Sequence, residues 1–260
     1  MKRDLYFSKP YMNAAGSLGF APDGRTGIAL DRLGAFVTNP ISLRPRQPAA
    51  KPEVLDYPGG FLLHSGLPNP GFNTVIKRYA SRWESHSLPV IVHLMADRPE
   101  ETRRMVQTLE IQENVMAVEL GFAPLLADDI LLLTLDMSLG ELPLIFSLSV
   151  EQVLRLGPRL IQQGAQAISI SAPRGALPPG NRAKAIGDRD IMTGRLYGPS
   201  LFPRALETVY SAGRIGLPII GAGGIWTQEN AEAMLAAGAL AVQVDAVLWG
   251  FDWQSQSSIV

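Results

Sequence analysis

About eight short apolar runs recur along the chain, at 11–15, 35–41, 90–95, 115–120, 144–148, 167–171, 219–221 and 241–244. Most are entered through a proline or a small residue, and each is followed by a segment able to form a helix. Runs such as Leu144-Ile-Phe146 and Leu217-Pro-Ile-Ile220 have no polar face, so both sides must be covered, as in a parallel sheet packed between helices. Strands alternating with helices read as βαβ units, and eight of them close a parallel barrel. The expected fold is therefore α/β: a (β/α)8 TIM barrel with a closed eight-stranded sheet, spanning 1–260 as a single domain.

Helix signals agree with this frame. The segment 98–109 opens on Pro99, Glu100 and Glu101, and 149–161 alternates faces around an interior Gly157-Pro158 that can kink it. Asp128 and Asp129 open another helix, where the helix dipole accounts for them. Two stretches break the alternation. Residues 42–71 are rich in proline and glycine and predict a loop plus a short hairpin near one barrel mouth, and 172–200 predicts a long loop after strand 6. Excursions of that length in a compact domain serve as lids, binding loops or interfaces.

Hydrophobic residues make up 47% of the chain and charged residues 18%, enough for a core and too apolar for a disordered tail. A net charge of -1 gives no electrostatic case for nucleic acid, and Lys77-Arg78 and Arg103-Arg104 read as solvated helix faces. The absence of cysteine excludes disulfides, thiolate nucleophiles, iron–sulfur clusters on thiolates and cysteine-based zinc sites. The three histidines, His64, His86 and His93, lack metal-ligand spacing, so no metal is expected. The N-terminus turns charged before any signal-like apolar core develops, and the longest apolar runs fall far short of the ~20 residues of a membrane span. A cytoplasmic protein with no membrane partner is expected.

Within 217–227, Gly221, Gly223 and Gly224 let the backbone approach a ligand and aim N–H groups at an anion, as in the phosphate cradles of many barrels. His93 ends the third run, so it can face the barrel mouth as an acid or base, or sit in the core hydrogen-bonded. Arg174, Arg182 and Lys184 can meet an acidic substrate or be solvated loop charges, and Tyr197 can stack on a ring or simply pack.

Taken in order, Pro10–Gly16, Val37–Arg46, Gly66–Gly71, Gly198–Leu206, Pro218–Ile225 and Val242–Val244 resemble the dihydroorotate dehydrogenase family along most of the chain. The ordered set is far more specific than a lone Gly-x-Gly-Gly turn. The resemblance implies a barrel holding FMN at its C-terminal mouth. Ala14, Ala15 and Gly16 would pack against the flavin, and Gly198, Gly223 and Gly224 would contact its phosphate. The family's Gly-Thr after the last strand is Asp245-Ala246 here, which puts a carboxylate beside the phosphate site. A carboxylate there repels a phosphate unless it turns away, toward a helix or a loop arginine, or pairs with a cation. Asn39 and Ser147 stand where the family has lysines, and Asn13 and Asn39 can contact a flavin edge or cap a turn.

The family's chemistry uses a Cys or Ser base on the loop after the fourth strand, and that loop, Gly121–Ala127, contains neither. Gly121, Leu126 and Leu63 occupy places where family members carry substrate-binding asparagines. A serine offers the flavin only a neutral hydrogen bond, about half the strength of a charge-assisted one. Unpaired polar groups on orotate would cost roughly 1–3 kcal/mol each. The resemblance thus implies an FMN-dependent oxidoreductase, with hydride transfer between a small-molecule substrate and flavin, that has left the family's standard use of dihydroorotate. It also implies a place near pyrimidine biosynthesis and a homodimer. The base is unassigned, with His64 (near the implied substrate site), His93 and Ser147 as candidates. Two alternatives stay open: a non-catalytic barrel serving as subunit or scaffold, or a barrel that binds a phosphorylated metabolite without FMN.

Overall fold

The computed structural model describes residues 4–178 and 191–249. In chain order come β1 (Tyr11–Asn13), β2 (Phe36–Val37), β3 (Glu53–Tyr57), β4 (Gly60–His64), α1 (Phe72–Glu84), β5 (Val90–Met95), α2 (Pro99–Leu109), β6 (Val115–Gly121) and α3 (Asp128–Ser138). There follow β7 (Leu144–Leu148), α4 (Val150–Gln163), β8 (Ala167–Ile170), β9 (Arg174–Leu177), β10 (Met192–Tyr197), α5 (Phe202–Arg214), β11 (Ile219–Ala222), α6 (Gln228–Ala236) and β12 (Ala241–Val244). Eight strands form one parallel sheet in the order β1-β12-β11-β8-β7-β6-β5-β2, and a bridge between Met12 and Ala35 brings its two edges together. This is the expected TIM barrel.

The β1–β2 seam is short, and a side chain mends it. Asn13, fully buried, accepts from the Val37 N–H at 2.9 Å and donates to the Val37 carbonyl at 2.7 Å, satisfying backbone groups that a longer strand pair would have paired. Between β1 and β2 the chain makes two 3-10 turns, 24–26 and 30–32, where a regular barrel has a helix. Pro22, Gly24 and Gly27 disfavour a helix there. The loop is pinned instead by Trp83, which is fully buried and donates its indole N–H to the Phe20 carbonyl at 2.8 Å.

Two apolar layers follow from the strand pattern. Side chains such as Val92, Leu120, Phe146 and Ile219 pack outward against the helices. Inside the barrel, Ile91, Ile145 and Ile220 pack with the small Ala117, Ala167 and Ala241. Truncating one of these buried isoleucines to alanine should cost about 2–5 kcal/mol. The helix α4 runs unbroken through Gly157-Pro158, and a side chain at 157 would press within 2.9 Å of Leu217.

The two excursions combine into one element. The hairpin β3–β4 is joined by β10 and β9 in a four-stranded antiparallel sheet, so the segment expected as a loop after the sixth barrel strand supplies two strands. Phe61 of β4 stacks on Tyr197 of β10 with ring centroids 5.4 Å apart. Gly198 meets the hairpin turn so closely that a Cβ there would overlap the Gly59 carbonyl and Gly60.

Candidate active site at the barrel mouth

The C-terminal ends of the barrel strands surround a central pocket of about 50 Å³. Its floor is polar. His93 (β5) and Glu119 (β6) are neighbours in register and are 4% and 1% exposed, with His93 Nδ1 2.7 Å from Glu119 Oε2. The other carboxylate oxygen accepts from Ser169 Oγ (β8) at 2.5 Å and from Gln243 Nε2 (β12) at 2.8 Å. Burial alone would push the Glu119 carboxyl up, but the hydrogen bond and charge of His93, with the bonds from Ser169 and Gln243, outweigh it and hold the group below its ordinary value.

An ionised carboxylate only accepts, so Nδ1 carries a proton in this pair, and whenever the ring is neutral its Nε2 lone pair is the one left for the pocket. Gly121 makes the room, since a Cβ at that position would lie 2.5 Å from Nε2. The glycine that replaces an expected asparagine is therefore matched to the histidine beside it.

Ala14 and Ala15 after β1, Ser147 on β7, and Ala222 and Gly223 at the end of β11 form the walls, and Arg195 and Tyr197 of β10 reach in from the antiparallel sheet. Tyr197 also packs edge-on to Trp249, whose indole N–H donates to the Ser17 carbonyl at 3.0 Å and ties the β1 loop to the turn after β12. Gly223 and Gly224 adopt φ of 100° and 70°, and both are buried. Neither N–H has an acceptor among the described residues. Buried unpaired N–H groups are rare, and such groups can hold an anion where they face one; of the two residues, Gly223 lines the pocket. Asp245 lines the same pocket; its carboxylate accepts the Ala246 N–H, and burial pushes its pKa up to about 6 against that bond. It caps the turn 246–249, with no arginine paired to it among the described residues.

Of the residues singled out in the sequence, His93, Ala14, Ala15, Ser147 and Gly223 meet at this one pocket. Gly16 (φ 98°) and Gly224 do not line it, Gly198 sits at the hairpin contact, and Ala246 opens the 3-10 turn. The Asn39 side chain accepts the Gly19 N–H at 3.0 Å and pins the β1 loop. His64 faces a separate pocket, where its Nδ1 donates to the Thr193 carbonyl at 2.7 Å. Arg174 sits on β9, whereas Arg182 and Lys184 lie outside the described residues. Glu119, Ser169, Gln243 and Arg195 escaped the sequence reading. Glu119 and Gln243 had a signal: a lone polar residue inside an apolar parallel strand must find a buried partner.

A larger hollow of about 650 Å³ adjoins the pocket along Phe122, Ser147, Ser171 and Arg195, ample for a small molecule. Among the described residues no cluster of three metal-ligating side chains exists, and no helix is long and apolar enough to cross a membrane.

Residues 3–123 match the family model described as dihydroorotate dehydrogenase. The chain is 30% identical over 257 residues to the dihydroorotate dehydrogenase B (NAD(+)) catalytic subunit of Pelobacter propionicus, covering 92% of this chain and 84% of that protein. To the same-named subunit of Geotalea uraniireducens it is 29% identical over 252 residues, covering 90% and 82%. Among solved structures it resembles dihydroorotate dehydrogenase of Eimeria tenella in complex with ferulenol, with a TM-score of 0.71 at 17% identity over 94% of this chain and 78% of that one. At that identity the structural likeness speaks for the fold alone.

Proposed function

Because the chain belongs to the dihydroorotate dehydrogenase family, we propose that it is an FMN-dependent oxidoreductase acting on a small molecule other than dihydroorotate held in the family's manner. The observation that carries the reading is the pair of buried, unused N–H groups at Gly223 and Gly224, beside a pocket walled by Ala14, Ala15 and Ser147. This donor set fits a flavin phosphate, and the small residues leave its ring an approach. In this reading Ala14, Ala15 and Gly16 support the ring, with Asn39 behind the loop that carries them. Ser147 offers its edge a neutral hydrogen bond, and Gly198, Gly223, Gly224 and Ala246 surround the phosphate. When bound, FMN supplies two-electron acceptance.

The chain's own part is to move a proton and to exclude the wrong substrate. His93 Nε2 accepts a proton from the substrate, and the imidazolium that forms is stabilised by Glu119, the positioning residue at 2.7 Å. His93 thereby takes over from the base missing in Gly121–Ala127. Loss of the asparagines at Gly121, Leu126 and Leu63 removes the partners an orotate ring would need. Asp245 must be neutral for a phosphate to sit beside it, so cofactor binding is favoured below about pH 6.

That carboxylate also favours a second reading, a family scaffold that no longer holds flavin, because it already occupies the Ala246 N–H. An ultraviolet–visible spectrum of the purified protein separates the two. Flavin absorbance supports the oxidoreductase, and colourless protein that takes up no FMN on reconstitution sinks it.

A further inference from the structure

Beside the central pocket, under the antiparallel sheet, lies a second pocket of about 170 Å³ whose charged lining is entirely basic: Arg46, Arg174 and Arg195, with His64 beside them. Arg174 and Arg195 are direct partners across the antiparallel β9–β10 pair. Like charges directly opposite each other in a sheet destabilise it, so the fold tolerates this pair against a cost. Neither arginine has an ion-pair partner among the described residues. Arg46 spends one donor on the Gly66 carbonyl at 2.5 Å. The acid that acts on Arg174, Asp97, lines a neighbouring hollow, and its carboxylate is engaged by the Ala123 N–H at 2.7 Å. Burial first, and then the charges of Arg195 and Arg46, lower the pKa of the Arg174 guanidinium, against the opposing charge of Asp97.

We propose that this pocket binds a small oxyanion, a carboxylate or phosphate group, held by Arg174 and Arg195 with Arg46 at its edge. Guanidinium forks suit such groups because each can give two parallel charge-assisted hydrogen bonds. Arg195 and Tyr197 line this pocket and the central one alike, so an anion here lies next to whatever fills the barrel mouth. The ligand is therefore a molecule whose anionic end rests on the arginines while its other end reaches His93. That last step rests on the oxidoreductase reading; the anion site itself needs no flavin.

The test is calorimetric titration of the full chain with malonate and, separately, inorganic phosphate at low ionic strength, comparing wild type with Arg174→Gln and Arg46→Gln, beside an FMN titration of the same samples. The expected result is one saturable site per chain for at least one probe, weakened about tenfold or more in Arg174→Gln and less in Arg46→Gln. The tighter probe identifies the group as carboxylate or phosphate. Without anion, Arg174→Gln should melt no lower than wild type, because a like-charge pair is relieved, and should lose the rise in melting temperature that the anion gives wild type. Absence of saturable binding of either probe overturns the proposal, and so does binding that both variants leave unchanged, which would assign the anion to the glycine cradle. Malonate binding without FMN binding would sink the oxidoreductase and leave the anion site standing.

Discussion

Replacing Glu119 by glutamine isolates the buried pair at the centre of the mouth. Glutamine keeps the shape and can still accept from Ser169 and Gln243 through its oxygen, but it turns an NH2 toward His93 Nδ1, where Glu119 accepts at 2.7 Å. Two donors cannot share that contact, so the imidazole must move its proton to Nε2 and lose the lone pair that faces the pocket. With the ring neutral, one charge-assisted bond becomes a neutral one and no buried charge is stranded, so the loss should be about 1–3 kcal/mol, below that of a broken buried ion pair. The pH dependence has a definite sign. The folded carboxyl lies below its ordinary value, so its contribution is present above the unfolded-state value and is lost as pH falls through the lowered folded one. The wild type should therefore shed stability in acid that the glutamine variant never had. Urea unfolding across pH measures this, and nitrogen-detected NMR of only three histidines reads the tautomer of His93 directly. Unchanged stability near neutral pH together with an unchanged His93 tautomer would refute the dyad.

Asp245→Asn removes a carboxyl whose raised pKa of about 6 costs the fold stability as pH climbs from its unfolded value of 3.8, a cost fully present above about 6. The variant should gain up to about 3 kcal/mol there by urea unfolding, at 1.36 kcal/mol per unit, and should bind FMN with an affinity that no longer falls as pH rises. Gly121→Ala would drive a methyl to 2.5 Å from His93 Nε2, costing about 1–3 kcal/mol and displacing the His93 ring resonances. Normal stability and unshifted resonances would contradict the packing. Asn13→Ala strips partners from both backbone groups of Val37 at the barrel seam, a loss of roughly 2–5 kcal/mol by thermal or urea unfolding.

Much of the barrel was legible because a strand covered on both faces cannot hide: Val90–Met95, Leu144–Leu148 and Ala241–Val244 fall where the apolar runs placed them. The first βα unit was not, because its 3-10 turns are set by local proline and glycine. β9 and β10 also escaped, since Arg174-Gly-Ala-Leu177 and Met192-Thr-Gly-Arg-Leu-Tyr197 carry residues with poor strand preference that pair only once the hairpin is present. At the site, Gly223 could be named because a glycine turn after a strand has a backbone purpose, and Ala14 and Ala15 through the resemblance to the family's motifs. The Glu119 network and the arginine pocket depend on which strands become neighbours in space, and one sequence does not state that. Asp245 was visible as a discordant carboxylate, but its burial and its bond to Ala246 needed the fold.

The proposed oxidoreductase requires that the turn at Gly223 and Gly224 receive an FMN phosphate. Titrating apo-protein with FMN and following quenching of flavin fluorescence, across a pH range spanning the Asp245 transition at about 6, tests it most directly. Saturable, one-to-one uptake that tightens as pH falls through that transition is expected. Absence of saturable uptake at any pH would contradict it.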